Sequence, residues 1–312
     1  MSALVSVIIP TYNAGQHLAE TLTSVLNQTY NKLEIIIIDD GSEDNTPEIV
    51  NDFKEEVIFY QQANGGACKA RNKGFELSSG NFIQFLDADD LLSLNKIEDQ
   101  IMELEQNPNF IANGRWGRFF TENPYAEDIQ WGPHYSLQKD LYPVEWLSQN
   151  HMSQTACWLT PRHLVEAAGP WDESLTQNQD GEFFTRVVAK AAKVLYTPNS
   201  RVYYRSNQAG TVSKNAQKRD NIESRYKTCE SFESVILSLE DSPRTRLAIA
   251  NKYQQFVYGA FPFHRDAVAH AERKIQQYGG SSLETFHRGK LRFLNKLLGW
   301  KTVARLLQSL KT

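Results

Sequence analysis

Leu4-Val5-Ser6-Val7-Ile8-Ile9-Pro10-Thr11-Tyr12-Asn13 is the stretch from which the fold is read. Its first seven residues form a short β-branched apolar run closed by proline, the pattern of a strand buried on both faces. Residues 11–15 supply a turn. A helix is then expected over about residues 16–28, because Leu18, Leu22, Val25 and Leu26 recur at helical spacing. The next apolar run, Glu34-Ile35-Ile36-Ile37-Ile38, ends in Asp39-Asp40-Gly41-Ser42. Strand, helix, strand in this order implies a parallel βαβ unit.

The alternation continues outward from that unit. Thr46-Pro47 starts a helix covering Glu48 to Phe53, and Val57-Ile58-Phe59-Tyr60 reads as a third strand. Asn64-Gly65-Gly66 is a turn before a helix over 67–78. Residues 81–86 form a fourth strand that runs into Asp87-Ala88-Asp89-Asp90, and Ser93 is the expected cap of a helix bearing Ile97, Ile101 and Leu104. Beyond residue 110 the pattern loosens into short strand-like runs and aromatic-rich loops. Helices are expected at 161–169 and about 180–192, with separate strands at Val194–Tyr196 and Val202–Tyr204. From about 214 the chain reads as helical and polar. The expected organisation is therefore a domain over 1–213, with halves 1–105 and 106–213, followed by a helical region over 214–312.

Composition narrows the class. At 312 residues, with 41% hydrophobic and 22% charged residues, the chain has what a soluble globular protein needs for a core. A formal net charge of −4 gives no general attraction to nucleic acid. Cys68, Cys157 and Cys229 are odd in number and far apart, so a reducing compartment is expected and a structural zinc site is not. No apolar run approaches the roughly 20 residues that span a bilayer. The N-terminus has no secretory pattern. Together these give a cytoplasmic expectation.

Three polar clusters follow predicted parallel strands: Pro10–Asn13, Asp39-Asp40 and Asp87–Asp90. Ligands of open α/β sheets bind at that edge, so the clusters point to one site. Asp87 and Asp89, one residue apart after a buried strand, can reach the same hard cation, Mg²⁺ or Mn²⁺. Asp39 or Asp40 can accept from a base N–H or a ribose hydroxyl, and Arg71 can face a diphosphate. Each cluster taken singly also reads as a polar turn, and Arg71 as a surface charge.

Taken in order, five blocks carry a family resemblance: Val5–Asn13, Ser24–Tyr30, Glu34–Ser42, Gly65–Asn72 and Phe85–Asp90. They resemble the signature blocks of family 2 glycosyltransferases, densely over the first 100 residues and more loosely over 155–206. The resemblance implies a GT-A fold: a Rossmann-like, mostly parallel sheet flanked by helices. It implies nucleotide-sugar contacts from Pro10, Thr11, Tyr12, Asn13, Asp39, Asp40, Arg71, Asp87 and Ala88, and a metal held by Asp89 with Asp87. Gly169–Leu175 followed by Asn178–Arg186 is similar to the family segment that presents a catalytic carboxylate. Asp180 is the implied general base, with Glu182 as its competitor and helix N-capping as the alternative role for Asp180.

The resemblance further implies inverting, non-processive transfer from a nucleotide-diphosphate sugar, a UDP-sugar by default, to a glycan or lipid-linked hydroxyl. The chain departs from the pattern at Gln179, where many members carry Glu, and at Ser206-Asn207-Gln208, where many carry a histidine. The Gln-x-x-Arg-Trp motif of processive synthases is absent, since Ala112 precedes Arg115-Trp116. These departures keep open a binding protein that has lost catalysis. A sugar nucleotidyltransferase ranks below it, because Pro10–Asn13 lacks a glycine-rich cradle. Of the aromatics Trp116, Phe119, Phe120, Tyr125, Trp131, Tyr135, Tyr142 and Trp146, most are expected in the core and one or two as a sugar platform. Residues 288–312 hold seven basic residues, no acid, and leucines at helical spacing. That pattern suits either peripheral contact with the inner face of a membrane or a helix packed on the protein.

Overall fold

A computed structural model describes residues 3–120, 129–131, 139–149, 151, 153–206, 219–284 and 290–309. Tyr125, Tyr135 and the Asn207-Gln208 positions lie outside the described residues. The chain forms two compact units, Met1–Glu173 with Gln179–Gly210, and Ser174–Asn178 with Thr211–Thr312.

The first unit is built on the predicted alternation. Strand β1 (Val5–Thr11), helix α1 (Leu18–Leu26), β2 (Leu33–Asp39), α2 (Thr46–Asn51), β3 (Val57–Gln61), α3 (Ala67–Leu77) and β4 (Phe82–Phe85) follow in order. β1 pairs in parallel with both β2 and β4, and β2 with β3, giving the order β3-β2-β1-β4. The isoleucines of β2 are fully buried, because helices on both faces leave no solvated side for a polar alternation. α1 buries Leu18, Leu22 and Val25 along one stripe. α3 lies so close to the sheet that a side chain at Gly74 would meet Ile8 Cγ2 at 2.3 Å.

The remaining strands extend the sheet. β5 (Leu91–Leu92), α4 (Lys96–Gln106), β6 (Phe110–Phe119), β7 (Gln130–Trp131), α5 (Pro143–Ser148), β8 (Trp158–Pro161), α6 (Arg162–Ala168), α7 (Gln179–Lys190) and β9 (Lys193–Arg205) complete the unit. β8 joins β4 to β6 in antiparallel fashion, while β6 and β9 run parallel. Two expectations are corrected here. The two short strands near 194 and 202 are one 13-residue strand, whose register against β6 shifts between Gly114 and Arg115. Ser93 does not cap α4; its carbonyl accepts from Lys96 N (3.0 Å), and its hydroxyl accepts from Arg201 N.

α4 plants a lysine in the core. Lys96 is fully buried, and its Nζ donates to Gln84 Oε1 and, at 3.4 Å, to the Trp158 carbonyl. Burial lowers its pKa to about 7. Between pH 7 and 10.5 the folded chain leaves it neutral while the unfolded chain still binds a proton, so this residue makes stability rise with pH over that window. Below pH 7 the full penalty remains, of order 4–5 kcal/mol, against about 1–3 kcal/mol for leaving Gln84 without its donor. Lys96→Met is therefore expected to raise the melting temperature at pH 7 by about 2–5 °C and to flatten the rise toward pH 10. Parallel melting curves of the two proteins check this; an identical pH slope would contradict it.

The second unit is helical among its described residues: α8 (Arg219–Leu239), α9 (Pro243–Ala260), α10 (Arg265–Gln277), α11 (Lys290–Leu298) and α12 (Trp300–Ser309). Phe232, Ile236, Ile249, Phe256, Val257 and Ala271 form its apolar interior. The Glu233 carboxylate ties three helices, accepting from Tyr253 (2.5 Å), Lys274 (2.7 Å) and Tyr278 (2.6 Å). Among the described residues no helix is long and apolar enough to cross a membrane. All three cysteines are free and buried, and burial pushes each thiol up, to about 11 at Cys68 and about 12 at Cys157 and Cys229.

Candidate active site

The sheet order fixes where a ligand can bind. β1 leads to β2 on one side, and β3 returns across β1 to β4 on the other, so the direction of winding switches between β1 and β4. A crevice opens at the carboxyl ends of strands at such a point. Pro10–Asn13 lies at the end of β1 and Leu86–Asp90 at the end of β4.

The β1 and β2 ends are knitted into a shaped rim. Asp40 N donates to Thr11 O (2.8 Å), and Thr11 Oγ1 donates to Ile38 O. Asn13, at φ 50°, receives Glu43 N on its side chain and donates its own N–H to Ser42 Oγ. Pro10 is half-buried, while Tyr12 is 52% exposed. Asp39 accepts from Ser42 N, Ser42 Oγ and Gln61 Nε2. Asp40 accepts from Gln62 Nε2 and from the N–H groups of Gly65 and Gly66. Gly66 sits at φ 89°, a left-handed conformation that aims its N–H at the carboxylate. The two aspartates thus hold the loops after β2 and β3 in place.

Arg71, Asp87, Asp89 and Asp180 form the charged centre. Arg71 is buried on α3; its Nη2 meets Asp87 Oδ1 at 2.7 Å, its Nη1 makes a loose 3.5 Å contact with Gln179 Oε1, and its guanidinium lies 4.5 Å from the Trp171 ring centroid. Arg71 Nε is buried without a hydrogen-bond partner. Trp171 in turn stacks on Phe183 at 4.0 Å, so the platform under the arginine is rigid. The residue between the aspartates, Ala88, is buried, and its carbonyl accepts from Thr21 Oγ1.

Burial, and then the charge of Asp87, pushes the Asp89 carboxyl up to about 6. Asp90 is different: it is fully buried, accepts from Arg205 N (3.0 Å) and Gln154 Nε2, and is a structural anchor. Arg205 also donates to the Asp89 carbonyl (3.0 Å) and pairs with Glu20, so the end of β9 clamps the turn after β4. Neither the clamp from Arg205 nor the Trp171 platform was read from the sequence. The only signal for Arg205 was a basic residue ending an aromatic strand.

Asp180 occupies the second position of α7, inside the first turn, and its carboxylate accepts from the backbone N–H of Gly181. Burial raises its pKa, the hydrogen bond from Gly181 N–H and then the Arg71 charge oppose that, and the Asp87 charge adds to it. Asp180, Arg71 and Asp87 therefore share one neighbourhood. Glu182 is drawn off into a two-pronged ion pair with Arg186 (2.8 Å each), which also binds the carbonyls of Ala168, Gly169 and Pro170. The aromatics divide: Trp116, Phe119 and Trp146 are core, Trp131 is half-buried, and Phe120 and Tyr142 are exposed.

Two carboxylates that repel each other just past the end of β4, beside a buried arginine with a spare N–H, suit a divalent cation and an anionic ligand. Among the described residues no three His, Cys, Asp or Glu side chains group tightly enough to hold a metal alone. A cation here would need oxygens from water or from a ligand.

Comparison with known proteins gives the class to which this half-sheet, with its acidic pair at the switch point, belongs. The profile of glycosyl transferase family 2 matches residues 6–168. The chain belongs to that family. GlyG of Streptococcus pneumoniae is 36% identical over 120 residues, 37% of this chain and 40% of that protein. An uncharacterized glycosyltransferase of Rickettsia typhi is 29% identical over 217 residues, 68% of this chain and 67% of its own. The matched part spans only 20%, 40% and 47% of the length of the first three curated relatives. The fold resembles a crystal structure of S. aureus TarS 1–349 in complex with UDP-GlcNAc, with TM-score 0.65 and 16% identity over 88% of this chain and 89% of that one.

Proposed function

We propose that this protein is a metal-dependent, inverting glycosyltransferase that moves a sugar from a nucleotide-diphosphate donor, a UDP-sugar by preference, to a hydroxyl of a glycan or lipid-linked acceptor. The observation that carries it is the meeting of Arg71, Asp87, Asp89 and Asp180 at the switch point of the sheet. The family membership and the UDP and UDP-GlcNAc complexes of the structural neighbour support the donor class.

Each residue then has a task. Tyr12 offers an exposed ring to the nucleobase, and the Asp39–Asp40 loops shape the floor beneath it. Arg71 offers its guanidinium charge to the diphosphate while Asp87 and Trp171 keep it in place. Asp89, with Asp87, would hold Mn²⁺ or Mg²⁺, which supplies positive charge for the departing diphosphate. Asp180 takes the proton from the acceptor hydroxyl as that oxygen bonds to the anomeric carbon. The bond from that carbon to the diphosphate oxygen breaks, and the nucleoside diphosphate leaves with the electron pair. One displacement inverts the anomeric centre. The raised pKa of Asp180 favours this role, because a more basic carboxylate accepts a proton more readily. Three buried free thiols fit a reducing, cytoplasmic setting.

The test is release of nucleoside diphosphate from UDP-, GDP- and dTDP-sugars, with Mn²⁺ or Mg²⁺ and without, using a panel of glycan acceptors. Arg71→Ala is expected to lower donor affinity by about 10–100-fold, since a charged hydrogen bond to phosphate is worth about 1.5–3 kcal/mol. Wild-type affinity in that variant would remove Arg71 from the donor site.

A further inference from the structure

In the helical unit, α12 is fastened to its neighbours. Trp300 packs edge-on against Tyr258 (4.9 Å) and Phe261 (5.1 Å), Val303 is 2% exposed, Lys301 pairs with Glu272, and Arg305 lies over the Phe261 ring. α11 precedes it across Gly299, which takes the left-handed φ of 76° needed for the tight turn. α11 itself is not sunk into the unit. Phe293 and Leu297 are each 65% exposed, Leu298 50% and Leu294 39%. At i, i+1, i+4 and i+5 these four residues share one face of the helix. Scattered exposed leucines are ordinary; four large apolar side chains on one short helix face form a patch that asks for a cover.

The charge of the segment identifies the cover. Residues 288–312 contain Arg288, Lys290, Arg292, Lys296, Lys301, Arg305 and Lys311 and no acid. Pairing this face with a second copy would bring two such cationic segments together with no carboxylate within them to offset the repulsion. An anionic lipid surface reverses that sign: its headgroups attract the cations, and the apolar side chains enter the headgroup–acyl boundary. We propose that α11 seats this protein on anionic membranes as a peripheral, in-plane helix, with Phe293, Leu294, Leu297 and Leu298 as the inserting residues.

The proposal stands apart from donor chemistry and is tested without it. Full-length protein is floated with phosphatidylcholine vesicles and with phosphatidylcholine–phosphatidylglycerol vesicles. Wild type is expected to float with the anionic vesicles only, and added salt to weaken the association. Phe293→Asp/Leu297→Asp is expected to reduce the bound fraction by about tenfold or more while keeping the wild-type melting curve, because both side chains face solvent. Phe293→Trp is expected to retain binding and to show a blue-shifted emission on anionic vesicles. Equal flotation of wild type and the double variant, or no flotation of wild type, would overturn the proposal. A wild-type dimer in light scattering that the double variant converts to monomer would also overturn it, reassigning the face to a second copy.

Discussion

Replacing Asp180 by Asn is expected to lower the transfer rate by about 10²–10⁴-fold and to leave donor affinity within about twofold of wild type. The amide keeps the shape of the side chain and removes its ability to take a proton. Position supports the assignment: Asp180 lies in the first turn of α7, where the Arg71 and Asp87 charges both reach it. Glu182, two residues on, is held by Arg186 in a buried ion pair that also organises the 168–170 carbonyls. Glu182→Gln is therefore expected to lower the melting temperature more than the rate of the remaining folded enzyme. Single-turnover transfer combined with donor titration separates these outcomes. Near wild-type transfer by Asp180→Asn would place the base elsewhere.

Asp89→Ala is expected to abolish the response to Mn²⁺ and to reduce turnover by at least about 10³-fold, the scale on which charge at a leaving group matters. Its effect on stability should run the other way. A carboxyl whose pKa rises on folding destabilises the folded chain at neutral pH, so removing Asp89 should leave the melting temperature unchanged or raise it. Asp87→Ala should differ, because it strips the partner from a buried Arg71. Breaking such a pair costs about 3–5 kcal/mol when fully buried, and less here because Asp87 is 30% exposed. Loss of metal response with a preserved fold at position 89, against loss of both metal response and stability at position 87, separates a ligand alone from a ligand that is also a structural partner. An Asp89→Ala protein with normal metal response would sink the ligand assignment.

The first half of the fold was legible because local and tertiary requirements agree there. Runs such as Ile35–Ile38 suit strands covered on both faces, and the helices between them start soon after Gly15, at Thr46-Pro47 and right after Gly65-Gly66. The same reading placed Asp87 and Asp89 just past the end of a buried parallel strand, where the structure has them. Beyond residue 106 the agreement holds for helices α6 and α7 and fails for the strands. Pro198-Asn199-Ser200 carries breaker residues, so β9 reads as two strands; the shift at Gly114 lets one strand pass beside β6. β5 is two residues long, and its pairing to Tyr203 and Val202 spans more than 100 positions. Long-range partners also explain what was missed at the site. Arg205 reaches Asp89, Asp90 and Glu20 from the far end of the unit, and Trp171 reaches Arg71 from a loop with no periodicity. Asp39 and Asp40 were legible as residues at a strand end, while their bonds to the Ser42 and Gly65-Gly66 backbone could not be foreseen from spacing.

Isothermal titration of UDP and UDP-sugars into the wild-type protein, with Mn²⁺ and after chelation, tests most directly whether the strand-end cluster is a nucleotide-sugar site. Saturable one-to-one binding that weakens by about tenfold or more without Mn²⁺, and that is lost in Asp89→Ala, is the predicted result. No heat with any nucleotide diphosphate at millimolar concentration, or binding indifferent to both Mn²⁺ and Asp89, would contradict it.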